Sequence, residues 1–161
     1  ENESCDGVEL SVNKIASALE GQFPEILMSD LESQWLHQLN CILDNYRTPV
    51  LYTSRLELNF ASQSARMTFG ISLAELMARL TMQISSKLGY IISKGGITTQ
   101  ILLSHGFNLK AVDLKGQILP GLSLVVAERN ENNSLIPILT FPGNLGDKRT
   151  LLEAWQFMEN I

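Results

Sequence analysis

A short apolar run, Gly89-Tyr-Ile-Ile92, passes through Ser93-Lys94 and a glycine pair, Gly95-Gly96, into Ile97-Thr-Thr99 and a further apolar segment ending at His105-Gly106. The first run has the length of a buried strand, the glycines have the freedom of a sharp turn, and the segment behind them reads as a helix from about Thr99 to His105, closed by Gly106 as a left-handed C-cap. A strand feeding a helix through a tight turn buries both elements only when helices stack on a sheet, which restricts the chain to layered α/β architectures.

The neighbouring segments agree with that restriction. Leu73, Leu76, Met77, Leu80, Ile84 and Leu88 form one apolar stripe, and Ser72-Leu-Ala-Glu75 in front of it has the form of a capping box, so the spacing predicts a helix over 72–87. Ser11 opens a short helix over 11–19, stopped by Gly21 and Pro24. Residues 25–28 read as a strand, and Ser29 or Asp30 caps the next helix, with Leu31, Trp35, Leu39 and Ile42 on its apolar face. Val50-Leu-Tyr52 is a short strand leading into Thr53-Ser-Arg55, whereas residues 56–70 carry no clear pattern. Strands are expected at 109–114, 122–127 and 135–141, the last two forming an antiparallel hairpin across a polar turn at 130–133. Gly116-Gln-Ile-Leu-Pro-Gly121 and Phe141-Pro-Gly-Asn-Leu-Gly146 read as loops, and Asp147 caps a last helix carrying Leu151, Leu152, Trp155 and Met158. The expected fold is a layered α/β/α domain with a mixed, mostly parallel sheet and a C-terminal antiparallel hairpin. Residues 1–9 are polar and are expected to be a disordered or linker segment, with one domain over 10–161.

Charge narrows the function. The net charge is −5, but residues 1–44 hold nine acids against one lysine, and residues 45–161 hold eleven bases against eight acids. The later part does not repel a small anion, yet it is too weakly basic to hold a nucleic-acid backbone, so nucleic acid is excluded as a partner. No apolar run approaches the roughly 20 residues that span a bilayer, so no membrane association is expected. Two distant cysteines, Cys5 and Cys41, with only His37 and His105 beside them, lack the local ligand pairs of a zinc site and suit a reduced, cytoplasmic chain. The first residue is Glu1 rather than Met, as expected of a processed chain or an excised fragment.

The glycine pair has two readings. Gly95 and Gly96 can simply turn the chain while Thr98 caps the helix. They can also let backbone N–H groups approach a phosphate, with the helix N-terminus, the hydroxyls of Thr98 and Thr99 and the charge of Lys94 behind them. Taken alone, the local pattern favours the plain turn. It is neither a Walker A loop nor a GxGxxG fingerprint. Three glycine-containing loops after successive strands would make three walls of one site if they converged. Trp35 and Trp155 lie in apolar stripes and read as core. His37 and His105 read as helix residues, and Arg55 suits either a phosphate or a surface ion pair.

In order and spacing, Lys94-Gly-Gly-Ile-Thr98, Gly116-Gln-Ile-Leu-Pro-Gly121 and Phe141-Pro-Gly-Asn-Leu-Gly-Asp147 closely resemble three motifs of the four-carbon acid sugar kinases, also labelled type III effector Hrp-dependent outer proteins. The match is to that family's C-terminal nucleotide-binding domain, and Thr53-Ser-Arg55 resembles an earlier element of it. The resemblance implies that residues 10–161 are the nucleotide-binding half of a two-domain bacterial kinase that phosphorylates threonate- or erythronate-type sugar acids with ATP and Mg²⁺. It implies that Gly95, Gly96, Ile97 and Thr98 line the ATP phosphates, and that Gly143 touches the nucleotide while Asn144 and Gly146 shape its loop. Ser11 corresponds to the serine of a Gly-Ser element, with Leu10 in the glycine's place. The sugar-acid-binding N-terminal domain of that family, which holds the base, would lie outside these residues, so the chain alone is not expected to catalyse. The alternative is a non-catalytic module for another phosphorylated metabolite or a protein partner.

Overall fold

The computed structural model describes residues 4–55, 58–128 and 134–160. The chain divides into two compact units, Glu1–Met67 and Thr68–Ile161.

In the first unit, strand β1 (Cys5–Leu10) runs parallel to β2 (Thr48–Thr53), in register from Cys5 opposite Thr48 to Leu10 opposite Thr53. Parallel strands need a long crossover, and helices α1 (Val12–Glu20) and α2 (Pro24–Asp44) supply it. Helix α2 packs on α1 and on both strands, and Val8, Leu10, Ile15, Ala18, Trp35 and Leu39 are buried. Two expectations change here. The segment expected to be disordered contains β1, because Val8 and Leu10 alternate toward the interior and the backbone pairs with β2. Residues 25–28, expected as a strand, are the first turns of α2. A four-residue apolar run does not separate helix from strand, Pro24 suits a first helical turn, and Ile26 and Leu27 are exposed. Ser29 lies inside that helix, where its carbonyl accepts from the Ser33 hydroxyl at 2.9 Å, and so caps nothing.

Helix α3 (Gln63–Ile84) begins nine residues before the expected cap and ends in a 3₁₀ turn at Ser85–Lys87. Ser62 is at its start, accepting from the Ala65 N–H at 3.1 Å. Ser72 and Glu75 are mid-helix, and Glu75 instead meets His105 Nδ1 at 3.4 Å. A capping pattern and the same residues within a helix look alike until the preceding hydrogen bonds are known. The buried face of α3 also differs in detail. Ala74 and Ala78 are in the core rather than Leu73 and Met77, so the helix approaches the sheet through small side chains.

The second unit continues with β3 (Ile91–Lys94), α4 (Gly96–Ile101), a π-helical turn at Leu102–Gly106, β4 (Asp113–Leu119), β5 (Leu122–Glu128), β6 (Leu135–Phe141) and α5 (Thr150–Met158). The sheet order is β3-β6-β5-β4. The expected mixed sheet and β5–β6 hairpin are present; within this sheet β3 and β6 pair parallel and the other two pairs are antiparallel. Alternation along β5 and β6 gives the sheet two apolar faces. Val125, Ala127, Ile136 and Ile138 pack with Ala74, Ala78, Ile101, Leu102 and Phe107, whereas Leu122, Leu139 and Phe141 pack with Ala154 and Met158 of α5. That is the α/β/α layering expected. Pro137 is tolerated inside β6 because the β3 pairing begins only at the next residue, Ile138.

Three boundaries move. The strand expected at 109–114 is β4, displaced toward the C-terminus, so most of the presumed Gly116–Gly121 loop is strand; Gly116, at φ 146°, sits at a register shift. Only Pro120-Gly121 remains as the turn, with Gly121 at φ 80° in the positive-φ position that follows proline in a type II turn. Gly106 does not adopt the left-handed C-cap conformation. It lies in the π-helical turn, where a Cβ would sit 3.3 Å from Met82 Cγ, so its lack of a side chain serves packing. The polar turn expected at 130–133 lies outside the described residues.

Candidate functional site

Strands β3 and β6 are parallel neighbours that end together, with Lys94 opposite Phe141. Both chains therefore leave the sheet at its C-terminal edge, where ligands bind in α/β proteins. The Gly95 N–H donates to the Phe141 carbonyl at 2.8 Å, the last rung before the chains part. Gly95 then turns at φ 114°, a conformation that L side chains rarely adopt, and becomes the N-cap of α4. Helix α4 thus starts at Gly96, three residues earlier than expected, and Thr98 is inside its first turn rather than its cap. The Thr99 N–H reaches the Gly95 carbonyl at 2.9 Å. The N–H groups of Gly96, Ile97 and Thr98 have no acceptor within the helix, and no side chain caps them.

The two threonines have separate tasks. Thr99 is buried, its hydroxyl 3.1 Å from the Ser93 carbonyl and 2.9 Å from the Ser93 hydroxyl, which locks the first turn of α4 onto β3. Thr98 keeps its hydroxyl on the Gly95 side: its Oγ1 lies 3.5 Å from where a Gly95 Cβ would be.

The loop after β6 folds onto this turn. The Leu145 N–H donates to the Pro142 carbonyl at 3.2 Å, closing a β-turn with Gly143 and Asn144 at its tip. A Cβ on Gly143 would lie 3.6 Å from Gly95 Cα, so the two glycine backbones approach closely with no side chain between them. Gly146 leaves the turn at φ 84°, and a Cβ there would be 2.7 Å from Thr150 Cβ. The Pro120-Gly121 turn joins from β4–β5, with a would-be Gly121 Cβ 2.8 Å from Leu145 Cδ2. The three glycine segments therefore do converge, which no local pattern in the sequence contains. Lys94 lies at the junction. Its ammonium donates to the carbonyls of Pro142 at 3.2 Å and Leu145 at 3.3 Å, and lies 3.8 Å from the centroid of the Phe141 ring.

Asp147 anchors the far end, as expected. Its Oδ1 accepts from the N–H groups of Arg149 at 2.8 Å and Thr150 at 3.0 Å, while its own N–H donates to Thr150 Oγ1 at 2.9 Å. These bonds, first that from the Arg149 backbone, then that from the Thr150 hydroxyl, then that from the Thr150 backbone, hold the Asp147 carboxyl below its ordinary value of 3.8. A depressed carboxylate pKa contributes stability above the unfolded value and loses it as pH falls through the lower folded value. The start of α5 is therefore expected to loosen on acidification below pH 3.8. Amide exchange at Arg149 and Thr150, followed by NMR across that range, checks this. In Asp147→Asn those amides should show no such acid transition.

Of the residues singled out from sequence, Gly95, Gly96, Ile97, Thr98, Gly143, Asn144 and Gly146 fall in this one cluster. Ser11 belongs to the first unit. There its hydroxyl accepts from the Lys14 N–H at 3.4 Å as the N-cap of α1. Ser54, from the Thr53-Ser-Arg55 element, accepts from the first N–H of that helix, Val12, at 3.0 Å, and its own N–H donates to the Leu10 carbonyl at 3.0 Å. The two elements linked by the resemblance are thus joined at the ends of β1 and β2. Leu10 is fully buried and fills the core. His37 and Cys41 share an exposed face of α2, their Nε2 and Sγ atoms 3.6 Å apart. Sequence reasoning missed the bracing role of Lys94 and the buttressing by Leu145 and Thr150. The only signal was that Lys94 and Leu145 each lie beside a glycine in a motif; Thr150 carried none.

A family model described as a nucleotide-binding C-terminal domain matches residues 7–151, most of the chain. The chain belongs to this family. The recognition from the glycine motifs, the C-terminal nucleotide-binding domain of the four-carbon acid sugar kinases, agrees with it. None of the curated proteins matches. Among solved structures, this nucleotide-binding domain is similar to a domain of unknown function (DUF1537) protein from Bordetella bronchiseptica, described with bound citrate as a domain-swapped dimer. The identity is 15% and the TM-score 0.63, covering 96% of this chain and 35% of that one. A second crystal form of that protein gives 16% identity and a TM-score of 0.61, covering 96% and 33%. The domain thus spans about a third of the length of the chains it resembles. No helix among the described residues is long and apolar enough to cross a membrane.

Proposed function

We propose that the Gly95 turn and the 142–146 loop cradle the phosphates of ATP, and that the chain is the ATP-binding part of a cytoplasmic kinase for four-carbon sugar acids of the threonate or erythronate type. The observation that carries this reading is the close approach of Gly95 and Gly143 beside the uncapped N–H groups of Gly96, Ile97 and Thr98. Backbone donors without side chains in front of them admit a phosphate closely, and the positive end of the helix dipole favours its charge. Thr98 adds a hydroxyl, Asn144 lies at the loop tip, and Gly146 sets the path of that loop.

Phosphoryl transfer requires positioning and charge stabilisation more than covalent help from the protein. These residues supply the nucleotide's share of that. The base and the sugar-acid pocket would come from a further domain, so the chain alone is not expected to turn over. ATP is expected to enter with Mg²⁺, an ion that takes only one or two carboxylates besides the phosphates. Asp147, the carboxylate beside the loop, caps α5, and among the described residues no three carboxylate, histidine or cysteine side chains gather around a cation position. Cys5 and Cys41 are not joined by a disulfide.

Gly96 offers a clean test. A Cβ there would meet nothing within 4 Å, and its φ is not positive, so Gly96→Val should fold while filling the space a phosphate needs. Titration calorimetry is expected to show ATP or ADP binding to the wild type and a loss of at least about tenfold in affinity, roughly 1.4 kcal/mol, in the variant. Equal affinity in the two proteins would remove the cradle reading. The burial of Leu10 in place of a glycine favours one other reading, a module that has left catalysis and binds another phosphorylated metabolite or a partner protein. Stabilisation by sugar phosphates, with silence toward nucleotides, would favour that reading instead.

A further inference from the structure

We infer that Lys94 is a positioning residue, holding the two walls of the cradle together instead of ligating the phosphates; this rests on the nucleotide reading above. A lysine just before a glycine turn at a phosphate site invites the opposite assignment, since an ammonium is a natural phosphate partner. The geometry points elsewhere. An ammonium has three N–H donors. Two of them go to the carbonyls of Pro142 and Leu145, at 3.2 and 3.3 Å. The charge also lies over the Phe141 ring, 3.8 Å from its centroid, where the quadrupole attracts it.

The identity of the two carbonyls matters. Pro142 and Leu145 are the first and last residues of the β-turn that carries Gly143 and Asn144, and the Pro142 carbonyl also accepts the turn's own bond from Leu145. One ammonium therefore bridges both ends of that turn. Lys94 is covalently next to Gly95, so the same residue fixes the turn's position over the Gly95 backbone, which Gly143 approaches closely. It also leaves the two carbonyl oxygens with a cation bound to them, so that they do not act as bare negative dipole ends near an anion. Loss of Lys94 would let the 142–146 loop drift from α4 while leaving the N–H donors intact.

The test compares the full wild-type chain with Lys94→Met, which keeps an unbranched apolar stem. Hydrogen exchange without nucleotide and titrations with ATP and with ADP are measured at two salt concentrations. The Leu145 and Gly95 amides are expected to exchange about tenfold faster in the variant. Affinity should fall about tenfold for ATP and for ADP alike, with an unchanged salt dependence. Three results in the variant would overturn the assignment. A much larger loss for ATP than for ADP, with a shallower salt dependence and unchanged exchange, would make Lys94 a phosphate ligand. Faster exchange with undiminished affinity would make it merely structural. No change in either measurement would leave it without a role. A wild-type chain silent to both nucleotides would overturn the nucleotide reading, and the positioning role with it; that failure is seen in the wild type and not in the variant.

Discussion

Phe141→Ala is expected to lower stability by about 3–5 kcal/mol, the range for removing a large buried aromatic. The side chain is 2% exposed and packs with Leu122, Leu139, Ala154 and Met158, so truncation leaves a cavity between the sheet and α5 that the neighbours refill only in part. For a chain of this length each kcal/mol shifts Tm by about 2–4 °C, which predicts a fall of about 10 °C in a thermal scan followed by circular dichroism. The same substitution removes the ring beneath Lys94. Phe141→Leu separates the two effects. It keeps most of the apolar volume and should cost about 1.5 kcal/mol or less, yet it also lacks the ring. A nucleotide affinity that falls in both variants, despite their different stabilities, would tie the ring to the cradle and not to the core. A Phe141→Ala protein as stable as the wild type would mean that the α5 layer does not pack as described.

Gly146→Ala is expected to cost about 2–4 kcal/mol. Two terms add. A non-glycine residue held at positive φ costs about 1–3 kcal/mol, and Gly146 sits at φ 84°. The new methyl would also press on Thr150, whose Cβ, Oγ1 and Cγ2 lie 2.7, 2.8 and 2.9 Å from its position. Thr150 is the hydroxyl partner of Asp147 at the start of α5, so relief of the clash displaces that cap. Urea unfolding should show a lower midpoint with an unchanged slope. Nucleotide affinity should also fall, because the loop bearing Gly143 and Asn144 cannot keep its path. Gly96→Val, where a Cβ has open space, provides the contrast. Its affinity falls while its stability holds. The reverse result, an intact Gly146→Ala protein beside an unfolded Gly96→Val, would show that strain and open space are misassigned between these glycines.

Local chemistry made part of the fold and site legible. Period-2 alternation in β5 and β6, proline followed by glycine at 120–121, and the Asp147 cap all act within a few residues, and all recur in the structure. The cap of α3 was not legible, because Ser62 and Ser72 offer the same hydroxyl and only the course of the preceding chain selects between them. The strand at Cys5–Leu10 was hidden by its own composition. Asp6 and Glu9 make it polar, and only pairing with β2, some 40 residues later, gives its backbone partners. At α2, Pro24 carried the right signal, but it was read as the stop of one helix when it is also in the first turn of the next.

By itself the sequence determined which residues could turn sharply and which were free of a side chain, since those are properties of glycine and proline wherever they stand. It therefore named Gly95, Gly96, Gly143 and Gly146. Only the tertiary structure decided that these glycines meet. The pairing of β3 with β6 carries Gly95 to Gly143 across 48 residues of chain, and that pairing is selected by two buried faces of a sheet and by backbone hydrogen bonds, not by any local motif. The same pairing decided the partners of Lys94. A lysine carries its charge in any fold, but the carbonyls of Pro142 and Leu145 came within its reach only when β6 was laid beside β3.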